Sequence, residues 1–107
     1  MCPIVEIKDP INVTAIDINN GNTVQSLRYR HLHEANGGAA FYPVGTPPYS
    51  SEGQAIVFCD EGDLVNPSQL VLVDPATNHS RVLLNNFLGR NFSSLNDVEQ
   101  NPYTGDL

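Results

Sequence analysis

Three short apolar runs, Gln54-Ala55-Ile56-Val57-Phe58-Cys59-Asp60, Gln69-Leu70-Val71-Leu72-Val73-Asp74 and Ser80-Arg81-Val82-Leu83-Leu84, follow one another with only turn-forming residues between them. Each is rich in β-formers, and the separators Asp60-Glu61-Gly62-Asp63 and Asp74-Pro75-Ala76-Thr77-Asn78 leave no room for an amphipathic helix. A chain built this way can only fold back on itself strand by strand, as an antiparallel meander.

The rest of the sequence repeats the pattern. Ile4-Val5-Glu6-Ile7 and Val13-Thr14-Ala15-Ile16-Asp17-Ile18 alternate apolar and polar residues, and Asn19-Asn20-Gly21-Asn22 is a hairpin signal because Asn and Gly tolerate positive φ. Residues 25–33 are expected to form the returning strand. Gly37-Gly38 suggests a bend before Ala39-Ala40-Phe41-Tyr42-Pro43-Val44, and a proline-rich turn spans residues 45–51. Eight Gly, eight Pro, no Trp and 40% hydrophobic residues in a chain of 107 fit short strands joined by turns. The expectation is an all-β fold, one domain at most, in which four strands make a blade and the chain holds between one and two blades of a β-propeller. Residues 1–30 form a hairpin lead-in. The last residues, Gly105-Asp106-Leu107, read as the start of another strand, so the sequence is expected to be the N-terminal part of a larger β-protein.

Charge excludes one class of partner. A net charge of −7 with five Lys and Arg cannot assemble the basic face that phosphate backbones require, so nucleic acid is not expected. No apolar run approaches the roughly 20 residues of a bilayer-spanning helix, so no membrane insertion is expected. Cys2 and Cys59 match no zinc spacing and read as free or structural thiols. Sequons at Asn12, Asn78 and Asn91 matter only in a secretory pathway, and the compartment stays open.

Several residues invite chemistry. His31 and His33 stand two apart on the expected strand, as zinc ligands do, but lack further Cys or His partners nearby and read as structural or solvent-exposed. The acidic run 60–63 lacks the alternating oxygen positions of a calcium loop. Ser50, Ser51, Ser93 and Ser94 fall outside any G-x-S-x-G elbow, and Gly37-Gly38 precedes no phosphate-loop pattern.

His33-Glu34-Ala35, the Gly-rich strand ending Phe41-Tyr42-Pro43, the strand Ile56-Val57-Phe58 closing on Asp60, and Ser94-Leu95-Asn96-Asp97-Val98 before Pro102-Tyr103-Thr104-Gly105-Asp106-Leu107 together resemble the senescence-marker-protein, gluconolactonase and luciferin-regenerating family. The likeness is nearest to its fungal lactonohydrolases and covers the chain from about Glu34 to Leu107. The resemblance implies a six-bladed propeller with one divalent cation, usually calcium, in its central channel, where lactones are hydrolysed. It implies Glu34 as a metal ligand and Asn96 as the residue that positions the substrate or its attacking water. Carboxylate and amide oxygens are hard ligands suited to calcium. This chain departs from the family pattern in having Ala35-Asn36 after Glu34, and Ser94 where sugar-lactone members carry Arg, which implies a different or smaller lactone.

The function expected is therefore part of a calcium-dependent lactone hydrolase, inactive alone because one carboxylate and one amide do not complete a calcium site. The alternative is a non-catalytic short β-module or the product of a truncated gene. Either way, unpaired strand edges are expected to favour self-association.

Overall fold

The computed structural model describes residues 4–6, 12–47, 49 and 53–107, and every described strand is paired antiparallel. A first sheet consists of β1 (Ile4–Glu6), β2 (Asn12–Asp17) and β3 (Thr23–Leu27) in that order. A second consists of β4 (Ala35–Phe41), β5 (Ala55–Asp60), β6 (Gln69–Asp74) and β7 (His79–Leu84), also in chain order. A two-stranded hairpin, β8 (Asn86–Phe87) and β9 (Arg90–Asn91), follows. Among the described residues there is no helix, and none therefore long and apolar enough to cross a membrane. The all-β antiparallel meander read from the sequence is the observed architecture.

The four-stranded sheet holds the core. Along β6 the side chains alternate as a two-residue period requires: Gln69, Val71 and Val73 are buried, while Leu70, Leu72 and Asp74 are half-buried. Phe58, Val71 and Val73 form one apolar face with Val13 of β2 and with Tyr29 and Leu32 of the connection after β3. The interior strand β5 is buried on both faces, with Val57 and Cys59 fully enclosed beside Phe58.

Residues 95–107 run back along β4 in extended conformation. Gly37 N donates to Asn96 O (2.9 Å), Leu95 N to Ser68 Oγ (2.9 Å), and Gln100 brackets the Tyr42 backbone, accepting from its N–H (2.6 Å) and donating to its carbonyl (3.0 Å). Burial pushes the Cys59 thiol up, and the neighbouring Asp97 carboxylate pushes it further in the same direction.

Two local expectations are corrected. The strand after the Asn-Gly turn ends at Leu27 and does not reach His33. Tyr29 and Leu32 instead turn into the core, with Leu32 N donating to Tyr29 O (3.2 Å), because burying two large side chains outweighs continuing a strand exposed along most of its length. Gly37 and Gly38 do not bend the chain ahead of a strand but lie inside β4, where the register shifts between Ala35 and Gly38. Their value is closeness. A Cβ on Gly37 would collide with the Asn96 carbonyl and come within 2.7 Å of Asp97 Cα, and one on Gly38 would sit 2.9 Å from Phe58. Cys2, Ser50 and Ser51 lie outside the described residues.

Gly37→Ala should therefore push the 95–97 segment off β4. Overpacking against backbone costs about 1–3 kcal/mol. Urea denaturation should show that loss, together with faster amide exchange at residue 37.

Candidate functional site

Register decides which residues meet. Ala35 pairs with Asp60, Asp60 with Gln69, and Leu70 with Leu84, so the start of β4, the β5–β6 loop and the exit from β7 share one end of the sheet. Glu34, Asn36, Glu61 and Asn96 all stand at that end.

Asp60 fixes it. The residue is completely buried, and its carboxylate accepts from the backbone N–H groups of His33 (2.9 Å), Glu34 (2.9 Å) and Gly62 (3.0 Å) and from Gln69 Nε2 (3.2 Å). His33 Nδ1 lies 3.1 Å from the same oxygen that receives the His33 N–H, with the imidazole 35% exposed. Gln69 Nε2 also donates to His31 O (2.7 Å), Ser68 Oγ donates to Asp60 O (2.8 Å), and Glu61 N donates to Glu34 O (2.8 Å). Among the described residues no buried side-chain polar atom is left without a partner. The connection from residue 31 to 34 is thus tied to β5 and β6 by polar contacts alone, which is how Glu34 acquires a fixed place at the head of β4.

Asn96 reaches the same place from far along the sequence. Asn36 Nδ2 donates to Asn96 Oδ1 (2.8 Å) and to Glu61 Oε1 (2.9 Å), while the Asn96 carbonyl is held by Gly37 N. With its side-chain oxygen engaged, Asn96 turns its amide N–H groups to whatever lies in front of it. Asn36 and Asn96 are exposed, and Glu34 and Glu61 are half-buried. The structure brings Glu34, at the head of β4, and Asn96 to one sheet end, with Asn36 and Glu61 joining them.

The remaining candidates behave as local structure. His33 is bound by Asp60 and His31 offers its backbone N–H to Ser80 Oγ (3.4 Å), so the two imidazoles do not act as a pair. In the acidic run, Asp63 accepts from the backbone N–H groups of Val65 and Asn66 (both 2.7 Å) and from the Asn66 amide, which closes the loop on itself. Those hydrogen bonds, led by Asn66 N–H, hold the Asp63 carboxyl below its ordinary value of 3.8. Among the described residues no three His, Cys, Asp or Glu side chains come together as a metal-holding group. The oxygen set at the sheet end is two carboxylates, Glu34 and Glu61, and two amides, Asn36 and Asn96, hard donors whose chemistry fits calcium but whose number falls short of its six to eight ligands.

Sequence reasoning missed Asp60, Asn36 and Glu61 as members of this end. Alternation along β4 offered one signal, since Asn36 lies two residues after Glu34 and so takes the same side. Asp60 offered another, as a carboxylate ending a run that is otherwise wholly apolar.

Asp60→Asn sets an amide N–H against groups that already donate, and should cost about 2–4 kcal/mol in urea denaturation. A smaller effect would mean that the 31–34 connection is held by apolar contacts. Asp63 governs a second measurement. Its folded pKa is depressed, so its contribution to loop order is present above the unfolded value of 3.8 and is lost as pH falls through the lower folded value. Amide exchange at Val65 and Asn66 should accelerate, relative to the rest of the sheet, only below about pH 3.8.

Compared with family models, with curated proteins and with solved structures, the chain matches none.

Proposed function

We propose that this chain supplies part of the centre of a calcium-dependent lactone hydrolase, on one to two blades of a six-bladed β-propeller. Glu34 is a ligand of the cation, and Asn96 positions the lactone or its attacking water. The observation that carries the reading is the hydrogen bond from Asn36 to Asn96, which joins residues 60 apart at the sheet end headed by Glu34.

Ring opening needs three things at that end: a carbonyl held in place, a water aimed at its carbon, and a group facing the oxygen that becomes negative. Because Asn36 occupies the Asn96 side-chain oxygen, the Asn96 N–H groups are the donors directed outward, suited to a lactone oxygen as charge gathers on it. The bound cation would supply Lewis-acid polarisation of the carbonyl and a more acidic water. Glu34 contributes a carboxylate whose backbone N–H is anchored by Asp60, so that its position does not drift with the connection that carries it.

Two residues do not complete a calcium coordination sphere, so the remaining oxygens come from other blades of the assembled protein or from a second copy. Exposed edges at β4 and β7 are the surfaces through which either would join. The competing reading, a non-catalytic β-module, rests on how completely Asp60 is consumed in holding the fold, and it keeps every contact described above without turnover.

Protein captured from its natural source should open γ- or δ-lactones to hydroxy acids only with a divalent cation present. Glu34→Gln in that intact protein should lower kcat/KM by about a hundredfold or more. Unchanged turnover at saturating calcium would remove Glu34 from the site.

A further inference from the structure

We infer that the lactone taken by this centre carries an apolar substituent, received by Leu64 and Val65 of the β5–β6 loop and by Phe87 and Leu88 of the β8–β9 hairpin. The inference rests on the lactone-hydrolase reading and narrows its substrate class.

Placement comes first. The pairing of Leu70 with Leu84 makes β7 end where β6 begins, so the β8–β9 hairpin leaves the sheet at the same end as the β5–β6 loop and the Glu34, Asn36, Glu61 and Asn96 cluster. A bridge between Ser68 and Phe92 ties the two connections together. They share a cavity of about 150 Å³ lined by Glu61, Leu64, Val65, Asn91 and Phe92 among others. Glu61 is also the residue that accepts from Asn36. The apolar loops therefore begin where the oxygen cluster ends.

Exposure comes second. Leu64 is 106% exposed, Val65 89%, Phe87 69% and Leu88 88%, four large side chains in two adjacent pairs without packing partners. Scattered exposed apolar residues are ordinary, whereas paired ones on two joined loops around a polar centre are not.

Backbone conformation comes third. Leu88 and Gly89 form the two-residue hairpin loop with φ of 50° and 80°, a geometry in which Asn-Gly is the economical choice. Leu at a left-handed position is strained, and nothing in the fold buries its side chain in return. Strain kept at a solvent-facing tip points outward, to a ligand. Compact polar groups at the sheet end with an apolar rim beside them match a cyclic ester that bears an alkyl chain, and do not match a polyhydroxylated ring.

The test compares γ-butyrolactone, γ-nonalactone and glucono-δ-lactone as substrates of the intact protein. The kcat/KM for γ-nonalactone should exceed that for γ-butyrolactone by about tenfold or more. Leu88→Asn suits the positive φ and should not lower the melting temperature, so it probes the side chain without unfolding the hairpin. Together with Phe87→Ser it should bring the nonalactone to butyrolactone ratio close to one. Equal efficiencies for the two substrates, or a ratio that the double variant does not move, would overturn the inference while lactone hydrolysis stands. Hydrolysis of none of the three would remove the lactone-hydrolase reading and this inference with it. Loss of binding to phosphatidylcholine vesicles in the double variant, at an unchanged ratio, would assign the rim to a lipid surface and overturn the inference.

Discussion

The Asp60 carboxylate is the contact on which the arrangement of this protein depends. A carboxylate with no exposed surface is tolerable only when its oxygens are fully engaged, and here three backbone N–H groups, an amide and an imidazole engage them. These donors come from three separate stretches of chain, the connection before β4, the loop after β5 and the start of β6. One side chain thereby sets where β4 begins, how the β5–β6 loop leaves the sheet and which way His33 faces. Apolar contacts alone would not fix these positions so closely, because burial is non-directional while hydrogen bonds to a carboxylate have required distances and angles.

Glycine plays the complementary part on the other side of β4. The Asp60 network supplies attraction, and Gly37 supplies room: its missing side chain lets the Asn96 backbone come within hydrogen-bonding distance of the strand. Asn96 is consequently aligned by two bonds of different kinds, its carbonyl by Gly37 N and its side-chain oxygen by Asn36. A side chain aligned at both ends has few rotamers left, and that is the property a positioning residue needs.

The architecture was legible because its signals are local. Two-residue alternation, six-residue runs and Asn-Gly or Asp-Pro turns specify antiparallel strands without reference to anything distant, and the four-stranded sheet follows from them in chain order. The end of β3 was not legible, since the Gln25 to His33 stretch has strand-like composition and only the core shows that Tyr29 and Leu32 leave the strand to be buried. Gly37-Gly38 was misread for a related reason. Glycine in a sequence signals either a bend or a close approach, and the choice depends on a neighbour 59 residues later that the local pattern does not contain. At the candidate site, Glu34 and Asn96 were singled out by resemblance, whereas Asn36 and Glu61 became visible only when the register of β4 against β5 was known.

Local rules and global fold agree nearly everywhere in this molecule, which makes the exceptions informative. Asn22 and Asn78 occupy left-handed positions that Asn tolerates, and Gly21, Gly62 and Gly89 occupy positions that favour Gly. Leu88 breaks that rule, and Leu64 and Val65 break the rule that an exposed loop is polar. All three stand at the sheet end that Asp60 organises, and the opposite end, where β6 turns into β7 through Pro75-Ala76-Thr77-Asn78, keeps ordinary turn chemistry. A sequence under selection for folding alone would spread such exceptions evenly or lose them. Their confinement to one end separates the part of the sheet that maintains the fold from the part available for chemistry.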